Sequence, residues 1–351
     1  MPTNPQLLTL ATVVLAHAAS AQRSSDVHGS LRTPAYDTTF ITSYYDNFVI
    51  TALMRTQGNE VELTGRNEKS ISYSTNDVVQ YGFGLDLRWF TIEAAFSVPY
   101  LSTPDATKGI TSSNGIGFGL TGRKWWFRNF LSRSEGYHVL EPWAYDSLWQ
   151  PEMNHPYRRD LEQTTYMASI NHGFNGARYS HNAALWQLER QRRSAGSWTA
   201  GATLWISEMK ADSTLIPFQL QSEFNDTTQF IRMQRFIIGV TGGYTHTFVF
   251  LRKAFLNLML VPGITATQHN YAIPRLGDVS TEWVVGGYAE GRFSMGYNAE
   301  QWYVALSGST YAASSSVGEQ VDLGTTFSSV RLATGIRLRK PNIPMLRKVG
   351  L

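Results

Sequence analysis

Residues 80–89 read Gln-Tyr-Gly-Phe-Gly-Leu-Asp-Leu-Arg-Trp, and their character alternates from one residue to the next. Every second residue, from Tyr81 to Trp89, is apolar or aromatic, whereas the residues between them are small, polar or charged. Because a β-strand turns successive side chains to opposite faces, this stretch predicts a strand with one apolar and one polar face. The pattern recurs along the chain without a helical pattern that would supply a covering layer. Lipid is therefore the solvent that we expect at the apolar face.

Further alternating runs, divided by turn residues, extend this pattern over most of the chain. They lie at 48–56, 70–74, 78–88, 91–98, 115–122, 125–132, 163–173, 178–190, 197–209, 235–248, 254–265, 281–297, 301–311 and 327–339. Many of these runs approach the ~9–11 residues that a tilted membrane strand needs. The sequence therefore predicts an all-β protein, an antiparallel transmembrane up-and-down β-barrel of about 12–14 strands.

The connections between the predicted strands carry a second signal. The pair Asn175-Gly176 predicts a tight hairpin between strands 163–173 and 178–190. Outer-membrane barrels have short periplasmic turns and longer outer loops, and the connections at 210–233, 267–280 and 313–325 are long enough to be outer loops. Counted back from the C-terminus, however, the long connections at 99–114 and 134–160 lie on the periplasmic side. Either the count is wrong by one strand or these two loops have a role in the periplasm.

Composition limits the class of protein further. The 351 residues include no cysteine, which excludes disulfides and thiol nucleophiles. Charged residues make up 16% of the chain, below the roughly 25% of soluble domains, and aromatic residues make up 13%. The formal net charge of +3, without a run of Lys or Arg, does not indicate a nucleic-acid partner.

The N-terminus has the features of a secretory signal. An apolar core runs from Leu7 to Ala16, and Ala19-Ser20-Ala21 has the small-x-small form of a cleavage site. We expect a signal peptide at 1–21 with cleavage after Ala21, an N-terminal periplasmic segment at 22–45, the barrel at 46–339 and a basic C-terminal tail at 340–351. This organisation predicts the outer membrane of a Gram-negative bacterium as the location.

Several phrases of the sequence are shared with a known family. They are residues 81–89, Gly-Arg-Lys-Trp-Trp at 122–126, parts of the stretch from 179 to 217, Val-Pro-Gly at 261–263 and Gly-Tyr-Asn at 296–298. Together they resemble a family of uncharacterised Bacteroidetes proteins, the domain of unknown function 4421, over nearly all of the mature chain. The resemblance implies an outer-membrane β-barrel-like fold and assigns no catalytic residue. The tail at 340–351 departs from the usual barrel ending because it has no terminal aromatic residue.

If the strand faces that carry the aromatic residues contact lipid, a set of charged side chains on the opposite faces points into the lumen. These predicted lumen charges are Asp86, Arg88, Glu93, Glu189, Glu290, Arg292, Arg331, Arg337 and Arg339. Buried charges need partners, and the mixture of signs suits salt-bridged ladders with a structural role. The alternative is a charged pore lining that selects solutes, since barrels of this size are either filled or open.

One loop stands out for its aromatic residues. Within residues 134–160 lie Trp143, Tyr145, Trp149 and Tyr157 among three prolines. Prolines stiffen a loop and keep it out of a strand ladder. Exposed aromatics at this density indicate an interface with an envelope protein or a plug folded into the lumen, and a girdle at the membrane boundary is the remaining alternative.

The sequence offers no recognisable active site. Ser180 and His181 are adjacent, and adjacent residues of the predicted strand 178–190 point to opposite faces, so they do not form a dyad along it. The histidines are spaced singly; His138 and His155 share a loop with carboxylates but lack the paired spacing of zinc sites. We expect no catalytic residue, no metal site and no cofactor.

Three functions remain open at this point. The first is a non-enzymatic structural or accessory component of the envelope, which contacts outer-membrane lipid and docks an envelope protein through the 134–160 loop. The second is a solute-conducting pore with a charged lumen. The third is an outer-membrane hydrolase whose site is assembled from separate strands.

Overall fold

A computed structural model of the protein describes residues 35–65, 69–76, 78–98, 105–144, 146–217, 220, 224, 230–273, 277–280, 283–317 and 321–339. The predicted signal peptide at 1–21, residues 22–34 of the predicted periplasmic segment, the tail at 340–351 and Tyr145 lie outside the described residues.

The described chain is built almost entirely from antiparallel strands. They are β1 (Ile41–Ser43), β2 (Asn47–Thr64), β3 (Ser70–Thr75), β4 (Val78–Leu87), β5 (Phe90–Ser97), β6 (Ser112–Thr121), β7 (Trp125–Val139), β8 (Tyr157–Gly173), β9 (Glu189–Gln191), β10 (Ala195–Lys210), β11 (Arg232–Phe250), β12 (Ala254–Ile273), β13 (Gly277–Ser280), β14 (Val284–Asn298), β15 (Trp302–Val317) and β16 (Val321–Arg339). One short helix, α1 (His181–Leu185), and 3-10 turns at Ala106–Lys108 and Pro142–Ala144 accompany them.

Fourteen of these strands form one sheet, which closes on itself. The first long strand, β2, pairs with the last, β16, over a register that includes Asn47 opposite Arg339 and Thr64 opposite Asp322. The pairing of β11 with β12 completes the circle. Strands β3 and β13 pair with strands of this circle but are not part of it. Twelve of the fourteen strands therefore make the ring. The predicted transmembrane up-and-down barrel of about 12–14 strands is confirmed.

The outward face of the ring is apolar and uncovered. Phe83, Ile238 and Leu258 are 64%, 43% and 47% exposed, and many other outward residues of the ring are large apolar side chains. Among the described residues, no helix is long and apolar enough to cross a bilayer. The inward face carries the small, polar and charged residues, as the alternation in residues 80–89 predicted; Gln80 and Asp86 are buried there.

This apolar belt leads to a test of its contact with lipid. Val240 lies near the middle of β11 and is 69% exposed. We expect Val240→Arg to lower the free energy of unfolding in lipid bilayers by about 2–4 kcal/mol, because the charge must enter hydrocarbon. Urea titration in phosphatidylcholine vesicles measures this change, with Val240→Leu as the control. A loss within about 0.5 kcal/mol, as at an ordinary aqueous surface, would contradict a lipid-facing β11.

The two ends of the barrel differ in their connections. One end, here called the turn end, carries the termini of the ring at Asn47 and Arg339 and the short turns near residues 88, 123, 252 and 300. The other, here called the loop end, carries all the connections from β2 to β4, β5 to β6, β7 to β8, β10 to β11, β12 to β14 and β15 to β16. The loops at 99–114 and 134–160 therefore leave from the same end as the other long loops.

The sequence placed these two loops on the periplasmic side because one of the predicted strands is not a strand of the ring. Residues 178–190 do not form the second arm of a hairpin across Asn175-Gly176; β8 pairs directly with β10, through Gly173 opposite Thr199. The residues between them form α1 and β9 and leave the wall. The run at 70–74 is likewise β3, which pairs with β2 and β7 at the loop end, outside the ring. The alternation of apolar and polar residues within one segment does not show whether that segment becomes a strand of the barrel wall or packs against the wall.

Candidate functional site

The residues between β8 and β10 fold together with the N-terminal described segment. We call residues 35–45 and 174–194 the turn-end plug. Its two pieces pair through β1 and β9, with Ile41 opposite Gln191, and Asp37 N–H donates to the Ala177 carbonyl at 2.8 Å. Residues 35–45 were predicted as part of a periplasmic segment; here they form half of this plug.

Helix α1 begins at Ser180 because that side chain caps it. The Ser180 hydroxyl accepts from the Ala183 N–H at 2.9 Å, and the backbone of Ser180 is extended, as N-cap residues are. The same hydroxyl donates to the buried carboxylate of Glu189, which also forms an ion pair with Arg123 from the β6–β7 turn. Glu189 is thus a charge of the plug and not of a barrel strand, and it is buried with two partners, as a buried carboxylate requires.

The plug enters the turn end of the lumen and contacts opposite parts of the wall. Tyr179 and the Thr245 hydroxyl of β11 form a hydrogen bond at 2.9 Å. The His181 ring stacks on Trp126 of β7, with centroids 4.0 Å apart. Plug residues Tyr45, Leu185, Trp186 and Leu188 join one apolar cluster with inward residues of β2, β5, β12, β15 and β16. A stable obstruction of this mouth follows from contacts distributed around the ring.

Arg337 of β16 makes the densest set of polar contacts between wall and plug. Its guanidinium donates to the carbonyl of Gln187 in the plug, to Asn298 Oδ1 at 2.6 Å and to the Ala299 carbonyl at 2.5 Å. The same group lies over the Tyr44 ring, 4.0 Å from its centroid. Gln187 is fully buried and has a φ of +54°, a left-handed conformation that a non-glycine residue adopts at a cost. Arg337 therefore holds a strained plug residue against the wall.

We expect the closure of the plug to depend on pH through His181. Burial, aided by the nearby Arg128, lowers the pKa of His181 well below its ordinary value, so its ring is neutral in the closed plug. A released plug regains the ordinary pKa of about 6.5. Closure is therefore fully favoured above about pH 6.5, and each unit below it shifts the equilibrium toward release by about tenfold, until the pH reaches the lowered pKa.

The chain has no cysteine, so one introduced cysteine reports on release. Ala184 in α1 has no exposed surface, and we expect maleimide labelling of Ala184→Cys to accelerate between pH 7 and 5 relative to the exposed loop variant Ser147→Cys. The replacement His181→Phe keeps an aromatic ring against Trp126 and removes the titrating group. Equal pH dependence with His181→Phe would contradict this assignment.

The loop end is closed by a second segment. We call residues 211–217, 220, 224, 230 and 231 the loop-end plug. Leu215 and Ile216 have no exposed surface and share an apolar cluster with inward residues of the wall, among them Leu63 of β2, Leu161 of β8 and Leu323 of β16. The Tyr73 hydroxyl of β3 donates to the Leu215 carbonyl, and Leu215 N–H donates to the Phe230 carbonyl at 2.8 Å. The mouth is thus filled by the protein's own apolar side chains.

A small cavity remains in mid-barrel, bounded on one side by Leu185 and Trp186 of the turn-end plug. Its volume is about 110 Å³. Because one water needs about 10–15 Å³ of such volume, the cavity holds several waters or one small molecule. Its wall is charged, with Arg55, Arg128, Glu93, Arg292 and Arg331 among the lining residues.

Six of the nine predicted lumen charges lie on inward positions of the wall, namely Asp86, Glu93, Glu290, Arg292, Arg331 and Arg337. Arg331 Nε donates to Glu93 Oε1 at 2.7 Å, and Arg292 pairs with Glu290 two residues before it on β14. Asp86 accepts from the Thr51 hydroxyl at 3.4 Å.

The remaining three lumen predictions lie elsewhere. Arg88 is in the β4–β5 turn with a φ of +49°, Arg339 is exposed where β16 ends at the rim, and Glu189 belongs to the plug. Parity places a residue on a face only while the strand continues, so it misassigns residues at turns and in segments that leave the wall.

Arg55 and Arg128 are lumen charges that the sequence analysis missed. Arg55 had a detectable signal, since it alternates with the outward apolar residues of β2. Arg128 had none, because both faces of β7 are aromatic around it, with Trp126 and Phe130 inward and Phe127 outward.

The aromatic loop of residues 134–160 lies at the loop end and is exposed. Trp143 is 55% exposed, Trp149 is half-buried, and their ring centroids are 5.5 Å apart. Tyr157 begins β8, and its hydroxyl donates to the Ile110 carbonyl at 2.5 Å. Trp143 and Trp149 therefore do not enter the lumen, and other segments fill both mouths. The plug alternative for this loop is wrong for its described part.

Ser180 and His181 were placed on a strand, which is wrong: they form the start of α1. Ser180 contacts Glu189 and Ala183, and neither ring nitrogen of the buried His181 has a hydrogen-bond partner among the described residues. The rings of His138 and His155 are in contact, with their centroids 5.2 Å apart. Within the described part of the chain, no group of three or more His, Asp or Glu side chains is arranged to hold a metal ion.

Comparisons with solved structures return barrels at low similarity. The outer membrane protease OmpT from Escherichia coli has a TM-score of 0.38 and 10% identity, covering 84% of this chain and 97% of that chain. The toluene transporter TodX from Pseudomonas putida has a TM-score of 0.28 and 7% identity, with coverage of 84% and 90%. OmpT, an outer membrane protein of Vibrio cholerae, has a TM-score of 0.29 and 7% identity, with coverage of 84% and 98%. Similarity at this level carries no information about activity.

A search of curated proteins with the sequence finds no match. Comparison of the sequence with family models gives a firmer result than the structural comparison. The family model described as Domain of unknown function (DUF4421) matches residues 35–337, which include the plug segments and the ring up to the Arg337 contacts. The chain therefore belongs to the family Domain of unknown function (DUF4421).

Proposed function

We propose that the protein is a closed outer-membrane β-barrel that acts without enzymatic chemistry, as a structural or accessory component of the cell envelope. One observation carries the proposal: both mouths of the lumen are filled by the chain's own segments, and the mid-barrel cavity between them has a volume of about 110 Å³. A barrel filled in this way offers its loops and its outer surface for function.

The proposed location rests on three features. The apolar belt around the ring suits a bilayer, and the N-terminal sequence has the form of a secretory signal cleaved after Ala21. Apart from the plug segment at 174–194, the connections at the turn end are short, and most of those at the loop end are long. By the usual rule for such barrels, the turn end faces the periplasm and the loop end faces outward. Outer-membrane lipid is then the partner of the belt.

The proposed protein partner docks on the 134–160 loop. Leu148 is 80% exposed, and Trp143 and Met153 add further exposed apolar surface. Apolar side chains concentrated on one loop at an aqueous end favour contact with another protein. A photo-crosslinking amino acid at Trp143 should capture a defined envelope partner, and the same group at Trp302, at the turn end, serves as the control. Equal capture at the two positions would contradict docking through this loop.

A solute pore with movable plugs is the second candidate. The inward charges of the middle layer favour it, because a structural filling needs only apolar side chains. The described side chains around Ser180 and His181 do not favour a hydrolase, since the hydroxyl is engaged by Glu189 and the α1 cap.

Conductance separates the first two functions. Purified full-length protein, inserted into planar bilayers in 1 M KCl, should give no steady current at either polarity. A continuous open-channel current from the unmodified protein would overturn the closed-barrel proposal and favour the pore. The variant that lacks both plugs, with each mouth opened by a Gly-Ser linker, provides the positive control for insertion.

A further inference from the structure

The mid-barrel cavity contains more positive charge than its carboxylates neutralise. Four arginines line it, Arg55, Arg128, Arg292 and Arg331, and Glu93 is the one carboxylate among its lining residues. Glu93 is engaged by Arg331, and Glu290, which adjoins the lining, is engaged by Arg292. Two positive charges therefore remain. Asp86 does not line the cavity.

The two remaining charges lie on Arg55 and Arg128. Arg55 is held by a neutral partner, since its Nε and Nη2 donate to Gln80 Oε1 at 3.0 and 2.7 Å. Arg128 forms no hydrogen bond and no ion pair within 4 Å with any residue of the described chain, although it interacts electrostatically with Glu290. Its guanidinium lies over the Trp186 ring of the turn-end plug, 5.2 Å from the centroid. Arg128 is partly exposed and lines the cavity, so its guanidinium is free to take an acceptor there.

Arg292 adds an unused donor on another part of the wall. Its side chain is 3% exposed, and its Nη2 donates to the Tyr311 hydroxyl at 2.6 Å. Its Nη1 is buried without a hydrogen-bond partner among the described residues. Strands β7 and β14, which carry Arg128 and Arg292, are separated in the ring by β8, β10, β11 and β12. Arginine side chains from two distant strands therefore line one cavity.

We propose that this cavity binds one small oxyanion, of the phosphate or carboxylate kind, between Arg128 and Arg292. Guanidinium groups pair with such oxyanions in bidentate geometry, which matches the unused donors better than water does. A volume of about 110 Å³ admits inorganic phosphate or acetate and excludes a whole lipid headgroup with its acyl chains. The bound anion would neutralise the excess charge and join the wall to the plug beneath Trp186.

Trapping during folding tests this proposal without requiring the plugs to open. The full chain is folded in detergent with radiolabelled phosphate, or with labelled acetate in a second arm, and then separated from free ion by gel filtration. We expect about one anion per barrel in one of the two arms. Retention in the phosphate arm identifies a phosphate site, and retention in the acetate arm identifies a carboxylate site.

Variants identify the binding residues. Arg128→Gln and Arg292→Gln should each reduce retention at least about tenfold, the effect of losing one charge-assisted pair. Arg235→Gln is the matched control, because Arg235 is also a buried lumen arginine but does not line this cavity. If Arg128→Gln does not fold, Arg128→Lys, which keeps the charge and loses the bidentate geometry, replaces it and should reduce retention less.

Three results with the labelled ions alone would overturn the proposal, and a fourth comes from competition with chloride. They are no retention of either ion by the folded wild type, retention by Arg128→Gln equal to wild type, and equal loss with Arg235→Gln. Displacement of the bound ion by an equal concentration of chloride during folding would mean an adventitious ion only.

Discussion

Replacement of Arg337 by glutamine is expected to release the turn-end plug from the wall. Arg337 is 5% exposed and donates to the carbonyls of Gln187, Ala299 and Glu300 and to Asn298 Oδ1. A glutamine side chain is too short and has too few donors for this set, so the Gln187 carbonyl would lose its partner in a buried site. The replacement removes several charge-assisted hydrogen bonds, each worth about 1.5–3 kcal/mol, and a combined loss of about 3–5 kcal/mol is expected. The opening equilibrium should therefore rise by roughly 150- to 5,000-fold.

Labelling of Ala184→Cys measures that opening. In the closed plug residue 184 has no exposed surface, so maleimide reacts only when the plug opens, and the labelling rate follows the population of the open state when opening and closing are fast. Arg337→Lys should give an intermediate rate, because it keeps the charge but not the planar fork.

Arg331→Gln is the matched control for Arg337→Gln. Arg331 is an inward arginine on the same strand; it pairs with Glu93 on β5 and, among the described residues, forms no hydrogen bond or ion pair with the plug. It should leave the labelling rate near that of the parent. Protection of residue 184 in Arg337→Gln equal to that in the parent would show that the apolar contacts of Trp186 and Leu188 hold the plug without this network.

Removal of both plugs together is expected to convert the closed barrel into a conducting pore. The turn-end variant deletes residues 35–45 and replaces residues 176–193 by a short Gly-Ser linker, which is feasible because Gly173 and Thr199 are paired across β8 and β10. The loop-end variant replaces residues 212–230 by a similar linker between Lys210 and Arg232, which are also paired. Each single variant retains one filled mouth and should give no steady current. The double variant should give continuous current.

The charge of the lumen predicts the selectivity of that current. Four arginines line the middle of the barrel, and two glutamates compensate them in part, so anions should carry most of the current. The reversal potential in a KCl gradient measures this preference, and Arg128→Gln in the double variant should reduce it. A steady current from either single variant would contradict closure by the other plug. Far-UV circular dichroism of each variant checks that the ring has formed.

Residues 80–89 illustrate what a local pattern can predict. Their parity placed Phe83 outside and Asp86 inside without any knowledge of neighbouring strands, because the period of a strand is a property of the backbone itself. The same reasoning found the ring strands from β10 to β16 and placed six of the nine predicted lumen charges correctly. It failed at 178–190, where an apolar and polar mixture that resembles a strand forms α1 and β9 instead.

The two plugs could not be predicted from local patterns, for a different reason. The contact between Arg337 and Gln187 joins residues 150 positions apart, and the contact between Tyr73 and Leu215 joins residues 142 positions apart. No period within one segment encodes a partner at that distance. Likewise, the pairing of Arg331 with Glu93, across 238 positions, depends on which strands meet when the ring closes.

By itself, the sequence determined an antiparallel membrane barrel with an apolar outer face, since alternation along each strand and the lack of a covering helical layer suffice for that conclusion. The tertiary structure alone decided that twelve strands close the ring, that the loops at 99–114 and 134–160 leave from the end opposite the chain termini, and that two segments fill the mouths around a cavity rich in arginine. The physical reason is that closure, filling and charge pairing are free-energy balances among residues distant in the chain, settled only when the whole ring has formed.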